Sequence, residues 1–167
     1  MSEENKKELG LEKNEFFLYS PGVGTVISLK AVKDEAFSSE TLGKGLALIP
    51  LKGVIKAPCS GRVFGIPETK HALGISTENG GDILIHIGMN TVKLNGKYFY
   101  SEIKEGQKVK KGDELIRFDL EKITELGYDI TTPVIISNAE KWHKIKTLVP
   151  EGSKVSFGEK LIFASKK

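Results

Sequence analysis

The sequence predicts an all-β fold, an antiparallel β-sandwich or barrel with a duplicated β-motif and at most short helical turns. From Phe16 onward, short apolar segments alternate with turn residues, and the chain of 167 residues contains 18 glycines. Many short strands separated by glycine-rich turns are typical of sandwiches and barrels. We therefore predict a single domain over residues 16–167, preceded by a mobile, polar and highly charged leader over residues 1–15.

Nine segments combine apolar residues with flanking turn signals, and each is a predicted strand. In chain order they are residues 25–29, 46–50, 53–57, 61–66, 83–87, 97–100, 114–119, 132–137 and 160–164. A short helical turn is expected near residues 120–126, because Asp119 can cap its N-terminus.

Two stretches of the chain repeat each other, beginning at Glu105 and Glu151, 46 positions apart. Each reads Glu-Gly, then an inward Val, a second glycine turn and a strand. A second unit, Ser-Pro-Gly-Val-Gly-Thr-Val at residues 20–26, is echoed by Ala-Pro-Cys-Ser-Gly-Arg-Val at residues 57–63. Half of the chain is too small for a good core. The repeats therefore indicate two copies of a motif folded into one closed sandwich.

The composition excludes several classes of protein. Lys plus Arg is 25 and Asp plus Glu is 22, a net charge of +3 that is too mild to indicate a nucleic-acid partner. Cys59 is the only cysteine, so no internal disulfide forms. We find no signal-peptide core and no apolar run of about 18–20 residues, the length that crosses a bilayer. We therefore expect a cytoplasmic protein with no direct membrane insertion.

His86 lies within a predicted strand of alternating character. Because successive side chains on a strand point to opposite faces, the isoleucines at 83, 85 and 87 share the core face. His86 shares the outer face with Asp82 and Leu84. Taken alone, this pattern favours an ordinary surface or satisfied core histidine over a reactive one.

His71 precedes Asn79-Gly80, a strong hairpin signal. Alternation would place Thr69, His71, Leu73 and Ile75 on one face. A hairpin about this turn makes His71 and His86 cross-strand neighbours, with residue 73 or 74 opposite His86 in a symmetric register. Two histidines converging beside a threonine favour a chemical site over two unrelated surface residues.

Two imidazoles beside a hydroxyl suit phosphoryl transfer. One neutral ring supplies a nitrogen nucleophile near neutral pH, and the second can donate to the phosphoryl oxygens while the hydroxyl orients it. The pair could also bind zinc, but a closed zinc site takes four protein ligands and a catalytic one usually three. The spacing to Asp82 is not a recognised zinc pattern, and no phosphate-binding glycine loop indicates direct use of a nucleotide.

At these residues the sequence resembles the glucose-type IIA family of the bacterial phosphoenolpyruvate-dependent sugar phosphotransferase system. Residues 80–96, Gly-Gly-Asp-Ile-Leu-Ile-His-Ile-Gly-Met-Asn-Thr-Val-Lys-Leu-Asn-Gly, are similar to its phosphorylation-site signature. Residues 68–72, Glu-Thr-Lys-His-Ala, are similar to the segment that bears its second active-site histidine. Further segments at 43–47, 57–61, 105–109 and 132–138 match in order. The resemblance runs from about residue 19 to the C-terminus and implies the family's duplicated hybrid motif.

The resemblance implies a phosphotransferase that relays a phosphoryl group for sugar uptake. The phosphocarrier protein HPr would phosphorylate His86, which would pass the group to a cysteine in the IIB domain of a membrane sugar permease (IICB). His71 would stabilise the phosphoryl group and Thr69 would orient His71. An apolar rim for docking partners would comprise Phe37, Leu42, Leu84 and Val92. No cofactor would be required, although in some relatives the two histidines share zinc with a regulatory target.

Other classes stay open on the residues alone. A zinc peptidase built on a related duplicated β-motif needs a His-x-His pair, which the sequence lacks. A biotinyl or lipoyl carrier has a similar Glu-Gly-x-x-Val-x-x-Gly-Asp turn, but neither Met1 nor Met89 neighbours the lysine that it would need. A plain interaction module is the third class. We expect Cys59 to be a packed turn residue and His143 an ordinary surface residue.

Overall fold

The computed structural model describes residues 14–167, and over this range the protein is built from 14 strands and short helices. The strands are β1 (Glu15–Tyr19), β2 (Gly24–Ser28), β3 (Lys44–Pro50), β4 (Val54–Lys56), β5 (Gly61–Phe64), β6 (Ala72–Ser76), β7 (Asp82–His86), β8 (Phe99–Tyr100), β9 (Lys108–Val109), β10 (Glu114–Phe118), β11 (Thr132–Ile136), β12 (Lys144–Thr147), β13 (Lys154–Val155) and β14 (Lys160–Ser165). The helices are α1 (Glu35–Ser38) and α2 (Leu120–Glu125), with 3-10 turns at Leu29–Ala31, Thr91–Leu94 and Ala139–Lys141. None of the helices in residues 14–167 has both the length and the apolar character of a membrane-spanning helix.

The strands form three antiparallel sheets. The largest has eight strands in the order β13-β2-β3-β11-β7-β6-β5-β9, and the two smaller ones have the orders β1-β14-β12 and β4-β10-β8. Their apolar faces meet in one main core, whose largest fully buried side chains include Leu18, Leu48, Ile55, Ile85 and Ile162. Burying each such side chain contributes roughly 1.5–3 kcal/mol. The predicted all-β sandwich is confirmed.

The duplicated motif appears at both ends of the large sheet. Val109 in β9 and Val155 in β13 are both buried, as the repeat predicts. β9 pairs with β5, and β13 pairs with β2, so each repeat meets one copy of the second repeated unit. The corner glycines have nearly equal φ values, 82° and 91° in the first copy and 90° and 83° in the second. The left-handed backbone at these corners explains the repeated glycine.

All nine predicted strands are present, with ends that differ from the prediction by at most two residues. The helical turn is confirmed as α2, where Oδ1 of Asp119 accepts a hydrogen bond from the backbone N–H of Lys122. Five further strands were not among the nine. β6 was expected only as the hairpin partner of β7, and β1, β9, β12 and β13 were not predicted. β9 and β13 have two residues each, too few for an alternating pattern. Most of the predicted leader over residues 1–15 lies outside the described residues, and Glu15 begins β1.

The hairpin of β6 and β7 positions the candidate site. Its five-residue turn, residues 77–81, is centred on Asn79, and the N–H of Thr77 donates to the carbonyl of Gly81 over 2.8 Å. The residue opposite His86 is therefore Ala72, and not residue 73 or 74. The predicted register was wrong by one or two residues, because the prediction centred the hairpin on Asn79-Gly80, whereas the turn is centred on Asn79 alone.

Candidate active site

His86 is the last residue of β7, and the predicted alternation holds along this strand. Ile83, Ile85 and Ile87 are buried in the core at 0–1% exposure, whereas Leu84 and His86 are only partly buried on the outer face. A strand end places a side chain at the edge of the packed region, where a reacting group has access to it.

His71 lies immediately before β6, and its ring meets that of His86. The two ring centroids are 5.0 Å apart and the rings are nearly perpendicular, at 84°. The N–H of Ile87 donates to the carbonyl of His71 over 2.7 Å, which ties the two segments together. The predicted convergence of the two histidines is therefore present.

The predicted alternation fails at His71. Leu73 and Ile75 lie in the core at 0% exposure, but the ring of His71 meets His86 on the opposite face of the hairpin. The alternation does not reach back to His71, because β6 begins at Ala72 and His71 lies in the bend before it, directly after Lys70 with its left-handed φ of 55°. This turn lets both histidines lie on the outer face.

One hydrogen bond fixes the tautomer of His86. Its Nδ1 lies 2.7 Å from the carbonyl oxygen of Gly88. A carbonyl oxygen can only accept, so Nδ1 carries the proton. In the neutral ring the lone pair then resides on Nε2, which is the nitrogen available as a nucleophile.

Burial lowers the pKa of His86 below its usual value of 6.5. The hydrogen bond to Gly88 and the nearby Asp34 carboxylate act in the opposite direction, because both favour the protonated ring. The net result is a neutral, nucleophilic imidazole near pH 7.

His71 is held by Thr69. Nδ1 of His71 lies 2.7 Å from Oγ1 of Thr69, and the residue is 8% exposed. Burial, together with the neighbouring His86, lowers the pKa of His71 from 6.5 to about 4. The ring is therefore neutral near pH 7, and if the Thr69 hydroxyl donates to Nδ1, the Nε2–H of His71 is left as a donor.

Acid should destabilise the protein through His71. Because its pKa is about 4 in the folded chain and 6.5 ordinarily, the unfolded chain binds more protons between these values. The free energy of unfolding therefore falls as the pH drops from about 6.5 to about 4, by at most about 3 kcal/mol from this group. Chemical denaturation at pH 7 and pH 4.5 measures the fall. His71→Gln should reduce it, and an equal fall in both proteins would contradict the assignment.

The predicted apolar rim divides into buried and exposed members. The Phe37 ring packs against the His86 ring with centroids 5.4 Å apart, and Phe37 is only 4% exposed. Leu84 is half-buried and packs against a second apolar cluster that includes Phe37. Leu42 and Val92 are the accessible members, with exposures of 40% and 49%. Phe37 thus packs under the His86 ring, and Leu42 and Val92 are the exposed members of the predicted rim.

Sequence reasoning missed the element that brings Phe37 and Asp34 to the site. Helix α1 has only four residues, and Oδ1 of Asp34 caps it by accepting from the N–H of Ala36. The signal was the cap residue itself, an Asp directly before a short Glu-Ala-Phe-Ser segment. The role of the Gly88 carbonyl was also missed, because a backbone acceptor leaves no mark in the sequence.

The remaining predicted residues lie away from this chemistry. Cys59 is buried, which raises the pKa of its thiol to about 12, so it is a packed residue and no nucleophile. His143 is exposed, as expected. Across residues 14–167, no three His, Cys, Asp or Glu side chains come together to hold a metal ion. His71 and His86 could therefore supply two ligands, and a zinc ion between them would need others from a partner.

Comparison with known proteins decides the family. Residues 16–142 match the family model described as phosphoenolpyruvate-dependent sugar phosphotransferase system, EIIA 1. The chain belongs to this EIIA family. Membership confirms the predicted resemblance and the predicted class of function, a phosphotransferase component of a sugar phosphotransferase system.

This EIIA chain is similar to relatives of two kinds. It is 44% identical over 151 residues to the PTS system beta-glucoside-specific EIIBCA component of Halalkalibacterium halodurans, covering 90% of this chain and 23% of that protein. It is 42% identical over 141 residues to the PTS system glucose-specific EIIA component of Bacillus cereus, covering 84% and 86%. The chain thus spans about a quarter of the fused relative and most of the separate one. In fused relatives, an EIIA domain shares one chain with EIIB and EIIC.

A solved structure confirms the fold. Glucose permease IIA from Mycoplasma capricolum superposes with a TM-score of 0.80 at 34% sequence identity. The match covers 89% of this EIIA chain and 95% of that one.

Proposed function

We propose that this EIIA domain carries a phosphoryl group on Nε2 of His86 and passes it on during sugar uptake in the cytoplasm. The observation that supports this most is the 2.7 Å hydrogen bond between Nδ1 of His86 and the Gly88 carbonyl, which leaves the lone pair on Nε2. Family membership supports the class of reaction, and the tautomer of His86 identifies Nε2 as the nitrogen that would react.

The accepting step forms one bond and breaks another. The Nε2 lone pair attacks the phosphorus of the donor, the bond from phosphorus to the donor breaks, and the donor atom keeps that electron pair. Because Nδ1 stays protonated, the phosphorylated ring is cationic. The Gly88 carbonyl and the Asp34 carboxylate both favour a positive ring. The same positive charge makes the ring a good leaving group in the onward step.

His71 and Thr69 serve the phosphoryl group itself. In the loose transition state of phosphoryl transfer, charge is spread over the equatorial oxygens, so an oriented donor stabilises it. The Nε2–H of His71 is that donor when the Thr69 hydroxyl donates to Nδ1 over 2.7 Å. His71 is neutral, which suits a donor that must not hold the group too tightly for release.

For partners, we propose the phosphocarrier protein HPr as donor and a IIB cysteine as acceptor. Fusion of EIIA to EIIB and EIIC in the relatives supports the acceptor, because it places the two domains in one protein. Relatives of this chain are named for beta-glucosides and for glucose. We therefore propose that the choice of sugar resides in the EIIB and EIIC parts.

The relay that we propose requires no metal. Zinc, where a partner provides further ligands, would use the imidazoles of His71 and His86 and would compete with phosphorylation for Nε2 of His86. Phosphorylated and unphosphorylated chain would then differ in zinc affinity, which equilibrium dialysis with the partner present would measure.

The exposed rim should control docking and leave the chemistry intact. In Val92→Asp, a carboxylate must be desolvated at the contact, so we expect the KM for HPr to rise about tenfold with kcat little changed. Val92 is 49% exposed, so folding should tolerate the change. Leu51→Asp, at an apolar residue that is 60% exposed in the β3–β4 connection, is the matched control. A normal KM in Val92→Asp would remove Val92 from the docking surface.

The experiment that tests the function is a phosphorylation assay. The chain is mixed with phosphoenolpyruvate, the general phosphotransferase enzyme and HPr. We expect one acid-labile, alkali-stable phosphoryl group per chain. Absence of an adduct with a carrier that phosphorylates a known EIIA would contradict the proposal.

A further inference from the structure

Thr91 belongs to the sequence signature around His86, yet the relay described above gives it no task. It is 0% exposed, and its hydroxyl donates to the carbonyl oxygen of Ile87 over 2.5 Å. That acceptor belongs to the residue directly after His86. A buried hydroxyl bonded at this point can therefore affect the orientation of the His86 ring.

Both peptide groups of Ile87 are engaged. Its N–H donates to the carbonyl of His71, and its carbonyl accepts from Thr91. The carbonyl of Ile87 belongs to the peptide that leads into Gly88. Fixing that carbonyl therefore fixes the direction in which the chain enters the Gly88 turn.

The Gly88 turn is held on its other side as well. Gly88 has a left-handed φ of 77°, and a Cβ placed there would lie 2.6 Å from Cγ2 of Thr91. The N–H of Met89, in the same peptide as the Gly88 carbonyl, donates to the carbonyl of Asp129 over 2.8 Å. Hydrogen bonds therefore hold the Gly88 turn on both sides. Thr91 bonds the peptide that enters it, and Asp129 bonds the peptide whose carbonyl accepts from Nδ1 of His86.

We propose that Thr91 is a positioning residue for His86: through Ile87, its hydroxyl holds the Gly88 carbonyl where it keeps the proton on Nδ1 and the lone pair on Nε2. The kinetic consequence rests on the proposed phosphoryl relay. The tautomer is a property of the unphosphorylated chain and does not depend on that function.

The test compares Thr91→Val with Thr91→Ser in the full chain. ¹⁵N NMR of histidine-labelled protein identifies the protonated nitrogen of His86. We expect wild-type and Thr91→Ser to be protonated on Nδ1 and Thr91→Val to populate both tautomers. For the valine variant we also expect an about tenfold fall in kcat for phosphorylation at unchanged KM, since one hydrogen bond is lost. Some of its phosphohistidine should carry the group on Nδ1.

Thr132→Val is the matched control. Thr132 is also 0% exposed, and its hydroxyl donates to the backbone carbonyl of Ile130 over 2.8 Å, so the same kind of bond is lost. Thr132→Val should change the stability and leave the tautomer of His86 unaltered. If valine at position 91 prevents folding, Thr91→Ala supplies the same comparison.

Three results would overturn the proposal. They are a single Nδ1-protonated tautomer in Thr91→Val, a defect in Thr91→Ser equal to that of the valine variant, and an equal tautomer shift in Thr132→Val. Failure of the relay would look different, because the wild-type chain would take up no phosphoryl group while the NMR comparison still decided the role of Thr91.

Discussion

His86→Ala should take up no acid-labile phosphoryl group, even at long incubation with phosphoenolpyruvate, the general enzyme and HPr. The variant lacks the only imidazole at this site whose proton is fixed on Nδ1 by a backbone carbonyl, and the nucleophilic Nε2 is lost with it. His71 should not substitute, because it lies beneath the surface and Thr69 engages its Nδ1. Radiolabel per chain, measured after alkaline quenching, gives the result.

His143→Ala is the matched control for this experiment, because it removes an exposed histidine in another part of the chain. It should be labelled to one group per chain like the wild type. His86→Ala replaces a partly buried ring that packs against Phe37, so its fold is checked by the unfolding midpoint. Full labelling of a folded His86→Ala would place the phosphoryl group elsewhere and end the assignment of Nε2.

The sequence could predict which strands exist and which faces they present, because alternation is a local property. The isoleucines at 83 and 85 and the histidine at 86 separate as alternation requires. The repeated glycines could likewise be assigned to corners, since each has a left-handed φ that other residues adopt only at a cost. The meeting of His71 with His86 followed from one hairpin signal.

What the sequence could not predict depends on turn geometry and on contacts between distant segments. His71 lies in the bend before β6, and Lys70 ahead of it adopts a left-handed φ without being glycine, so nothing in the pattern indicated that the alternation starts only at Ala72. Phe37 reaches His86 from a four-residue helix far back in the chain. The Gly88 carbonyl reaches Nδ1 of His86 because of the turn after β7, and no pattern in the sequence indicates the direction of that carbonyl. These features concern orientation, and orientation decides which nitrogen reacts.

His71→Gln should separate uptake of the phosphoryl group from its delivery. A glutamine amide can donate one hydrogen bond, as the Nε2–H of His71 does, so a slow accepting step still runs to one group per chain. Delivery to the IIB cysteine is measured as a rate, and it depends on a donor that is correctly oriented in the transition state. Glutamine has no nitrogen at the position of Nδ1, so the variant loses the 2.7 Å contact with Thr69 that fixes this orientation. In other enzymes, removing one hydrogen-bond donor to the transition state lowers kcat by a factor of about 10²–10³. We expect the rate of transfer to the IIB cysteine to fall by a factor of this order.

The decisive measurement starts from pre-phosphorylated protein and follows single-turnover transfer to a IIB domain. Starting there removes the accepting step from the comparison. His143→Gln, with the same substitution at an exposed histidine, should transfer at the wild-type rate. A normal rate for His71→Gln would mean that the second ring only packs beside the first. A chain that could not be phosphorylated at all would mean that His71 is already indispensable when the group arrives. Slow transfer from a fully loaded chain would instead assign His71 to the equatorial oxygens of the phosphoryl group, with Thr69 as the residue that directs it there.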